Sequence, residues 1–175
     1  MKHKAFPILC ALAAAMLVTA VQATGIPTAS SLHSDLLYGT SAERENAVRY
    51  IETKLPAALL PLLGETILHD GNMEHKERAL EALSRYPFRS VSPLWVDLLR
   101  RSKSFPVKKR IIDFMAASDD RHVVTALVEE LASPFSTVRE SAIKALAKLG
   151  DDRMFPHILN MARNPDPIYR VYALE

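Results

Sequence analysis

The hydrophobic pattern of this chain repeats on two scales. Within short segments, apolar residues recur at i, i+4, i+5 and i+8, which places them on one face of an α-helix. Across segments, the whole pattern returns after 31 or 32 residues. A period of this length is typical of repeat architectures, in which each unit buries its apolar face against its neighbours. The sequence therefore predicts an all-α fold of similar helical units.

Two sets of apolar positions define the units. The first set comprises Ala47, Val48 and Ile51; Ala79, Leu80 and Leu83; Ile111, Ile112 and Met115; and Ala142, Ile143 and Leu146. The second set comprises Leu59, Leu63, Gly64 and Ile67; Val91, Trp95, Val96 and Leu99; Val123, Leu127, Val128 and Leu131; and Met154, Ile158, Leu159 and Ala162. Each unit should therefore contain a first and a second helix, with Trp95 in the core rather than at a ligand site.

Helix-breaking residues separate the two helices of every unit. They are Pro56, Pro87, the pair Asp119 and Asp120, and the run Gly150, Asp151 and Asp152. These residue types favour turns, and aspartate also caps the helix that follows. No alternation of Val, Ile or Thr indicates strands.

Two polar columns accompany the apolar ones. The column before each first helix reads Thr40, Asn72, Ser104, Phe135 and Asp166, of which four are good helix caps. Glu43 follows Thr40 by three residues and predicts a capping box, and Ser133 or Ser136 should replace Phe135 as a cap. The second column is basic in every unit: Arg44, Lys76, Lys108, Arg139 and Arg170.

The columns divide the chain into segments. Four complete units cover roughly residues 41–165, and a fifth begins at Asp166, so the repeat domain spans residues 41–175. The stretch TGIPTASS, residues 24–31, has the composition of a linker. Residues 32–39, LHSDLLYG, fit either the closing helix of an incomplete unit or a capping helix.

The best-formed unit resembles a known repeat family. The stretch PFSTVRESAIKALAKLGDDRMFPHILNMARNPDP is similar to the short HEAT-like repeats first associated with phycobilisome lyases. The match is good over residues 133–174, lacks Leu-Gly over residues 73–132 and is loosest over residues 41–72. The resemblance implies an α-solenoid of antiparallel helix pairs. It also implies that the basic column forms a structural ladder between units, with Arg139 and Arg170 as the best candidates.

The N-terminal 23 residues have the pattern of a secretory signal peptide. Lys2, His3 and Lys4 precede an apolar run, and small residues favour cleavage after Ala23. A retained membrane anchor is the alternative, although the apolar run is short for a span. Cys10 lies inside this run, which disfavours a lipoprotein signal.

Cleavage after Ala23 would change the charge of the protein. Without Lys2 and Lys4, the 22 Lys and Arg become 20, against 20 Asp and Glu. A neutral mature chain does not favour nucleic acid as a partner. Its stability must come from packing, because no cysteine remains for a disulfide.

One segment stands out by its charge. The stretch RRSKSFPVKKR, residues 100–110, holds six cations in eleven residues: Arg100, Arg101, Lys103, Lys108, Lys109 and Arg110. A solvated turn explains such a cluster, and the functional alternative is an anionic partner such as an acidic protein, a lipid headgroup or a glycan.

Other candidate chemistry is sparse. His69, Asp70 and His75 share one loop, but no paired His or Cys spacing supports a zinc site. No nucleophile-elbow or phosphate-loop pattern occurs. The sequence therefore predicts no catalytic residue, no cofactor and no metal.

The resulting interpretation is a non-catalytic protein-binding scaffold of the bacterial cell envelope, periplasmic or secreted. Two alternatives stay open: a solenoid enzyme like the lyase and glycosylase members of the family, and a module that binds anionic lipid or glycan through residues 100–110. The closing stretch DPIYRVYALE begins a fifth unit, so we expect the array to continue beyond Glu175. Otherwise Tyr169, Val171, Tyr172 and Leu174 would form an open apolar end suited to self-association.

Overall fold

The computed structural model describes residues 26–150, 152, 155–165 and 167–172, with the backbone alone at residues 168, 169 and 172. All regular elements in these ranges are helical. The α-helices are Ala29–Tyr38 (α1), Ser41–Lys54 (α2), Leu60–His69 (α3), Met73–Ser84 (α4), Phe88–Arg101 (α5), Phe105–Ala117 (α6), Val124–Glu129 (α7), Ser136–Leu149 (α8), Phe155–Ala162 (α9) and Pro167–Tyr172 (α10). Short 3-10 helices lie at Ala57–Leu59, Arg121–Val123 and Glu130–Ala132.

The helices form two layers. The first helices of the units are α2, α4, α6, α8 and α10, and they form one layer. The second helices are α1, α3, α5, α7 and α9, and they form the other layer. Neighbours within a layer contact each other, as α4, α6 and α8 do on one side and α1, α3, α5 and α7 on the other. Each contact buries the apolar face of one unit against the next, so the described chain has the one-dimensional core of a solenoid.

The predicted apolar columns form this core. In the first helices, all column residues from Ala47 to Leu146 are buried except Val48, which is half-buried. Trp95 is fully buried, as predicted, between Phe88 at 6.1 Å and Phe114 at 5.3 Å between ring centroids. The periodicity therefore identified the buried faces correctly through α8.

The closest helix pairs cross the unit boundaries drawn from the sequence. Consecutive helices pack most closely as α1 with α2, α3 with α4, α5 with α6, α7 with α8, and α9 with α10. The two helices of each pair are joined by the short loop that contains the cap-column residue. The period of the repeat was therefore correct, but its hairpins begin with the second helix of one unit and end with the first helix of the next.

Helix α1 packs against α2 and α3 as later second helices pack against their successors. It starts at Ala29, three residues before the predicted position, since the Thr28 side chain accepts from the backbone N–H of Ser31. It also contacts α4, where Arg78 donates to the carbonyl of Leu37.

The two ends of the described array differ in character. The outer face of α2 is polar, and its Glu45 and Arg49 pair at 3.0 Å with both side chains about 70 % exposed. In α9, by contrast, Phe155 and Leu159 are 54 % and 55 % exposed. Ile158 is half-buried and Ala162 exposed, contrary to the column prediction.

Three of the four turns inside the units take left-handed backbone at equivalent positions, and the fourth has Pro87 there with a φ angle of −54°. Leu55, Asp119 and Gly150 have φ angles of 45°, 54° and 59°. A left-handed residue ends a helix sharply, which is natural for glycine and costly for leucine. Asp120 then caps the following 3-10 helix by accepting from the N–H of His122 at 3.1 Å, as predicted. Asp151 lies outside the described residues.

The capping predictions were partly right. The capping box of Thr40 and Glu43 is present in both directions, which confirms it. Asn72 also caps its helix through the side chain, whereas Ser104 occupies the N-cap position of α6 without a side-chain hydrogen bond, contrary to the prediction. At α8 the prediction was wrong, since neither Ser133 nor Ser136 caps the helix and Phe135 occupies the N-cap position. Asp166 lies outside the described residues.

Candidate partner-binding surface

Two open grooves lie on the layer of second helices. The larger one, which we call the α7–α9 groove, has a volume of about 710 Å³. Its apolar walls come from Val128, Leu131 and Ala132 on one side and Met161 on the other. Leu131 and Met161 are 8 % and 7 % exposed, so they belong to the packed core and hold these walls in place.

The second groove lies on the neighbouring helix of the same layer. This α5 groove has a volume of about 410 Å³ and is lined by Ser92, Pro93, Val96, Asp97, Arg100 and His122. Five of these residues form one stripe of α5 at helical spacing. The volumes of both grooves lie within the range of about 300–1,000 Å³ that is typical of ligand-binding clefts.

An ion pair separates the two grooves. Arg100 lines the α5 groove and Glu129 lines the α7–α9 groove. Their side chains meet in a two-pronged contact, with Arg100 nitrogens donating to both carboxylate oxygens at 2.8 and 2.7 Å. The hydrogen bonds and charge of Arg100 lower the pKa of Glu129, which is thereby held ionised.

Most cations of the basic junction, residues 100–110, have acidic partners within the chain. Arg101 pairs with Asp97 at 3.0 Å, Lys109 with Asp113 at 3.0 Å, and Arg110 with Glu77 at 3.1 Å. Arg100 and Lys108 pair with Glu129 and Glu130. Lys103 is exposed and makes no ion pair among the described residues. The six cations therefore do not present six free positive charges.

Lys108 is set apart from the other five by burial. Its side chain is 12 % exposed and that of Glu130 is 8 % exposed. The pair links α6 to the 3-10 helix that follows α7. Lys108 is consequently a contact between the first and second helices of one unit and not an accessible cation.

The basic column lies against the loops between units. Arg139 is buried and donates to the carbonyl of Ser133 at 2.7 Å. Arg170 donates to the carbonyls of Asn164 and Pro165 at 2.9 and 2.7 Å, and Arg44 donates to that of Gly39. These three arginines bind the loop before their own helix. Lys108 instead forms an ion pair with the Glu130 carboxylate. The ammonium of Lys76 makes no hydrogen bond within the described part of the chain.

The loop of His69, Asp70 and His75 divides into separate contacts. His75 Nδ1 lies 3.0 Å from Asp70 Oδ2, whereas His69 Nε2 lies 3.7 Å from Glu65 on its own helix. The hydrogen bond from the N–H of Asn72 is the main cause that lowers the pKa of Asp70, with His75 adding to it. Among the described residues, no cluster of three His, Cys, Asp or Glu side chains has a metal-binding arrangement.

The grooves were not predicted from the sequence. Their residues come from neighbouring units, and the sequence shows helical faces without showing which faces stay open between neighbours. One signal was present: Val96 and Val128 occupy the same column, and both are only half-buried.

One comparison with known proteins finds a family. Residues 92–175 match the family model of HEAT repeats, a stretch that starts within α5 and contains α7 and α9. No curated protein matches the chain at a significant level. Within the described residues, no helix has the length and apolar character needed to cross a membrane. The chain is thus an all-α solenoid, and the family match supports its assignment as a HEAT-like repeat protein.

Proposed function

We propose that this protein is a non-catalytic scaffold that binds other proteins in the bacterial cell envelope. The observation that carries the proposal is the pair of open grooves on one helix layer, with apolar floors and charged rims. HEAT repeats generally serve as protein-interaction scaffolds. The mixed character of the grooves suits a protein surface, in which apolar anchors are surrounded by polar groups.

The grooves are suited to binding because their walls are already fixed. Leu131 and Met161 are anchored in the core, and the pair of Arg100 and Glu129 joins the helices on either side. A partner that docks here would find a preformed surface and would lose little free energy to ordering it.

The charged groups of the grooves support binding rather than acid–base catalysis. A general acid or base works best with a pKa near the operating pH. Arg100 moves the pKa of Glu129 in the opposite direction, further below neutrality. Asp97 forms an ion pair with Arg101 at 3.0 Å. These pairs favour a scaffold over the lyase-like or glycosylase-like alternative.

Location in the envelope rests on the N-terminal sequence. Residues 1–23 lie outside the described residues, so the proposal depends on the basic start, the apolar run and the small residues before the cleavage position. N-terminal sequencing of the protein from the envelope fraction should begin at Thr24. A chain that begins at Met1 would contradict cleavage.

The anionic-surface alternative finds less support. Five of the six cations in residues 100–110 contact acids of the same chain, and Lys108 is nearly buried. Binding of lipid or glycan through this segment would require those pairs to open.

Chemical crosslinking in the native compartment tests the proposal. The protein is crosslinked in intact cells, purified and analysed by mass spectrometry for covalently attached proteins. A reproducible protein partner whose crosslinks map to α5, α7 or α9 is expected. Crosslinks confined to lipid, glycan or nucleic acid, or an absence of specific protein crosslinks, would refute the scaffold function.

A further inference from the structure

Charge is unevenly distributed along the solenoid. Residues 24–85 hold 6 Lys and Arg against 9 Asp and Glu, whereas residues 86–175 hold 14 against 11. The zero net charge predicted for the mature chain therefore combines an acidic half with a basic half. Both grooves lie in the basic half.

The acidic side chains that line the grooves form ion pairs with arginines of the chain, and one lining arginine makes no ion pair among the described residues. Asp97 and Glu129 are paired with Arg101 and Arg100. Arg163 lines the α7–α9 groove, is exposed and makes no ion pair among the described residues. His157 lines the same groove and is also exposed. The charge that remains available to a partner on this surface is positive.

We propose that the two grooves bind an acidic segment of the partner protein, whose apolar side chains enter the grooves. This inference rests on the proposed scaffold function and specifies the chemistry of the partner. Carboxylates of the segment pair with Arg163, and its apolar side chains contact Val96 in one groove and Val128 in the other. Opposite charge speeds the encounter and selects against basic partners.

The spacing of the grooves limits the shape of the segment. Axes of packed helices lie about 8–10 Å apart. An extended peptide advances about 3.3 Å per residue, so it crosses from one groove to the next in about three residues. We therefore expect two apolar residues about three positions apart, flanked by Asp or Glu.

Selection from a random peptide library displayed on phage tests this inference with the purified protein. Enriched peptides should carry net negative charge and a pair of apolar residues at this spacing. Their affinity should fall at least about tenfold between low and physiological salt, as expected for an attraction between exposed charges. Enrichment of basic or neutral peptides, or no enrichment, would overturn the inference.

Matched variants locate the binding site. Ala132→Glu places a carboxylate and extra bulk in the α7–α9 groove, and Arg163→Glu reverses its free charge. Each should weaken binding of the enriched peptides at least about tenfold. Ala42→Glu and Arg49→Glu make the same changes on the exposed face of α2 and should leave binding unchanged. Equal losses in both sets would show that the site is elsewhere.

Competitors separate the acidic peptide from other anions. A single-stranded oligonucleotide and phosphatidylglycerol vesicles are added to the bound peptides at physiological salt. We expect neither to displace them, because they lack the paired apolar side chains. Displacement by either one would assign the surface to that polyanion and overturn the inference. The crosslinking experiment above decides the scaffold function independently, since it does not depend on the charge of the partner.

Discussion

Lys108 and Glu130 form an ion pair that is almost removed from water. Their side chains are 12 % and 8 % exposed, and they join α6 to the 3-10 helix Glu130–Ala132. In the same basic column, Arg139 instead holds a loop carbonyl. These two members of the column therefore use different kinds of acceptor, a carboxylate and a backbone carbonyl, and each contact is open to direct measurement.

Removing one partner of the buried pair should be costly. Lys108→Met leaves the Glu130 carboxylate buried without its counter-ion, and such losses amount to about 3–5 kcal/mol. The free energy of unfolding from urea denaturation should drop by this amount. Lys108→Met combined with Glu130→Met should recover most of the loss, because the uncompensated charge is gone.

Lys109→Met is the control for this prediction. Lys109 pairs with Asp113 on the surface, with side chains 51 % and 43 % exposed, so its loss should cost less than about 1 kcal/mol. If Lys108→Met and Lys109→Met lowered the free energy of unfolding equally, burial of the Lys108 pair would not increase the cost of breaking it.

Arg139→Ala should destabilise the protein without affecting partner affinity. The variant removes a charged donor to the Ser133 carbonyl, a type of bond that contributes about 1.5–3 kcal/mol. The melting temperature should fall accordingly. Lys76→Ala changes the same column at a position with no side-chain hydrogen bond in the described structure, and its melting temperature should hardly move. An unaltered melt of Arg139→Ala would refute the ladder.

Pro93 should weaken α5, because it lies inside Phe88–Arg101 and has no N–H to offer the carbonyl of Arg89. Ser92 Oγ lies 3.5 Å from that carbonyl, which is a poor substitute. Pro93→Ala should therefore raise the free energy of unfolding by about 2 kcal/mol, after the entropy regained by the unfolded chain is subtracted.

Pro106→Ala provides the contrasting case. Pro106 is the second residue of α6, where no helical N–H is needed. The substitution should leave stability unchanged or lower it by about 0.5 kcal/mol. Stabilisation of both variants to the same extent would indicate a general effect of proline removal.

His33 should make stability depend on pH. Its Nε2 lies 2.7 Å from Thr66 Oγ1, whose hydroxyl donates to the Leu62 carbonyl at 3.0 Å. Burial lowers the pKa of His33 more than the contact with Leu62 and the charge of Asp70 raise it. The unfolded chain protonates this histidine at pH about 6.5, so its contribution is complete above that value and is lost as the pH falls through the lower folded pKa.

A comparison between pH 7.5 and 5 checks this prediction. The free energy of unfolding should decrease over this interval, and His33→Gln should reduce the decrease. His69→Gln changes an exposed histidine of α3 and should leave the pH dependence as it is. If the free energy of unfolding of His33→Gln fell as much between pH 7.5 and 5 as that of the unchanged protein, another group would be responsible.

The fold could be predicted from the sequence because a solenoid buries the same positions in every unit. Ala79, Leu80 and Leu83 lie in the core for the same reason as Ala142, Ile143 and Leu146. The rule failed for Leu159, which matches Val128 in its column yet is 55 % exposed. Burial of a column residue requires neighbouring helices on both sides, and sequence similarity alone does not supply them.

The binding surface could not be predicted in the same way. Sequence revealed the density of cations in residues 100–110 but not that Glu129 and Glu77, from neighbouring units, would neutralise Arg100 and Arg110. The grooves likewise depend on how far apart the second helices lie. Both features arise from the stacking of units, and a periodic pattern fixes the order of units without fixing these contacts.

Site-specific photocrosslinking tests the central claim most directly, that the layer of second helices binds a protein. A photoreactive amino acid is introduced at Ala132 in the α7–α9 groove and, separately, at Arg49 on the exposed face of α2. After irradiation of intact cells, Ala132 should yield a discrete crosslinked protein and Arg49 should not. Crosslinks at Arg49 alone, or at neither position, would contradict the account.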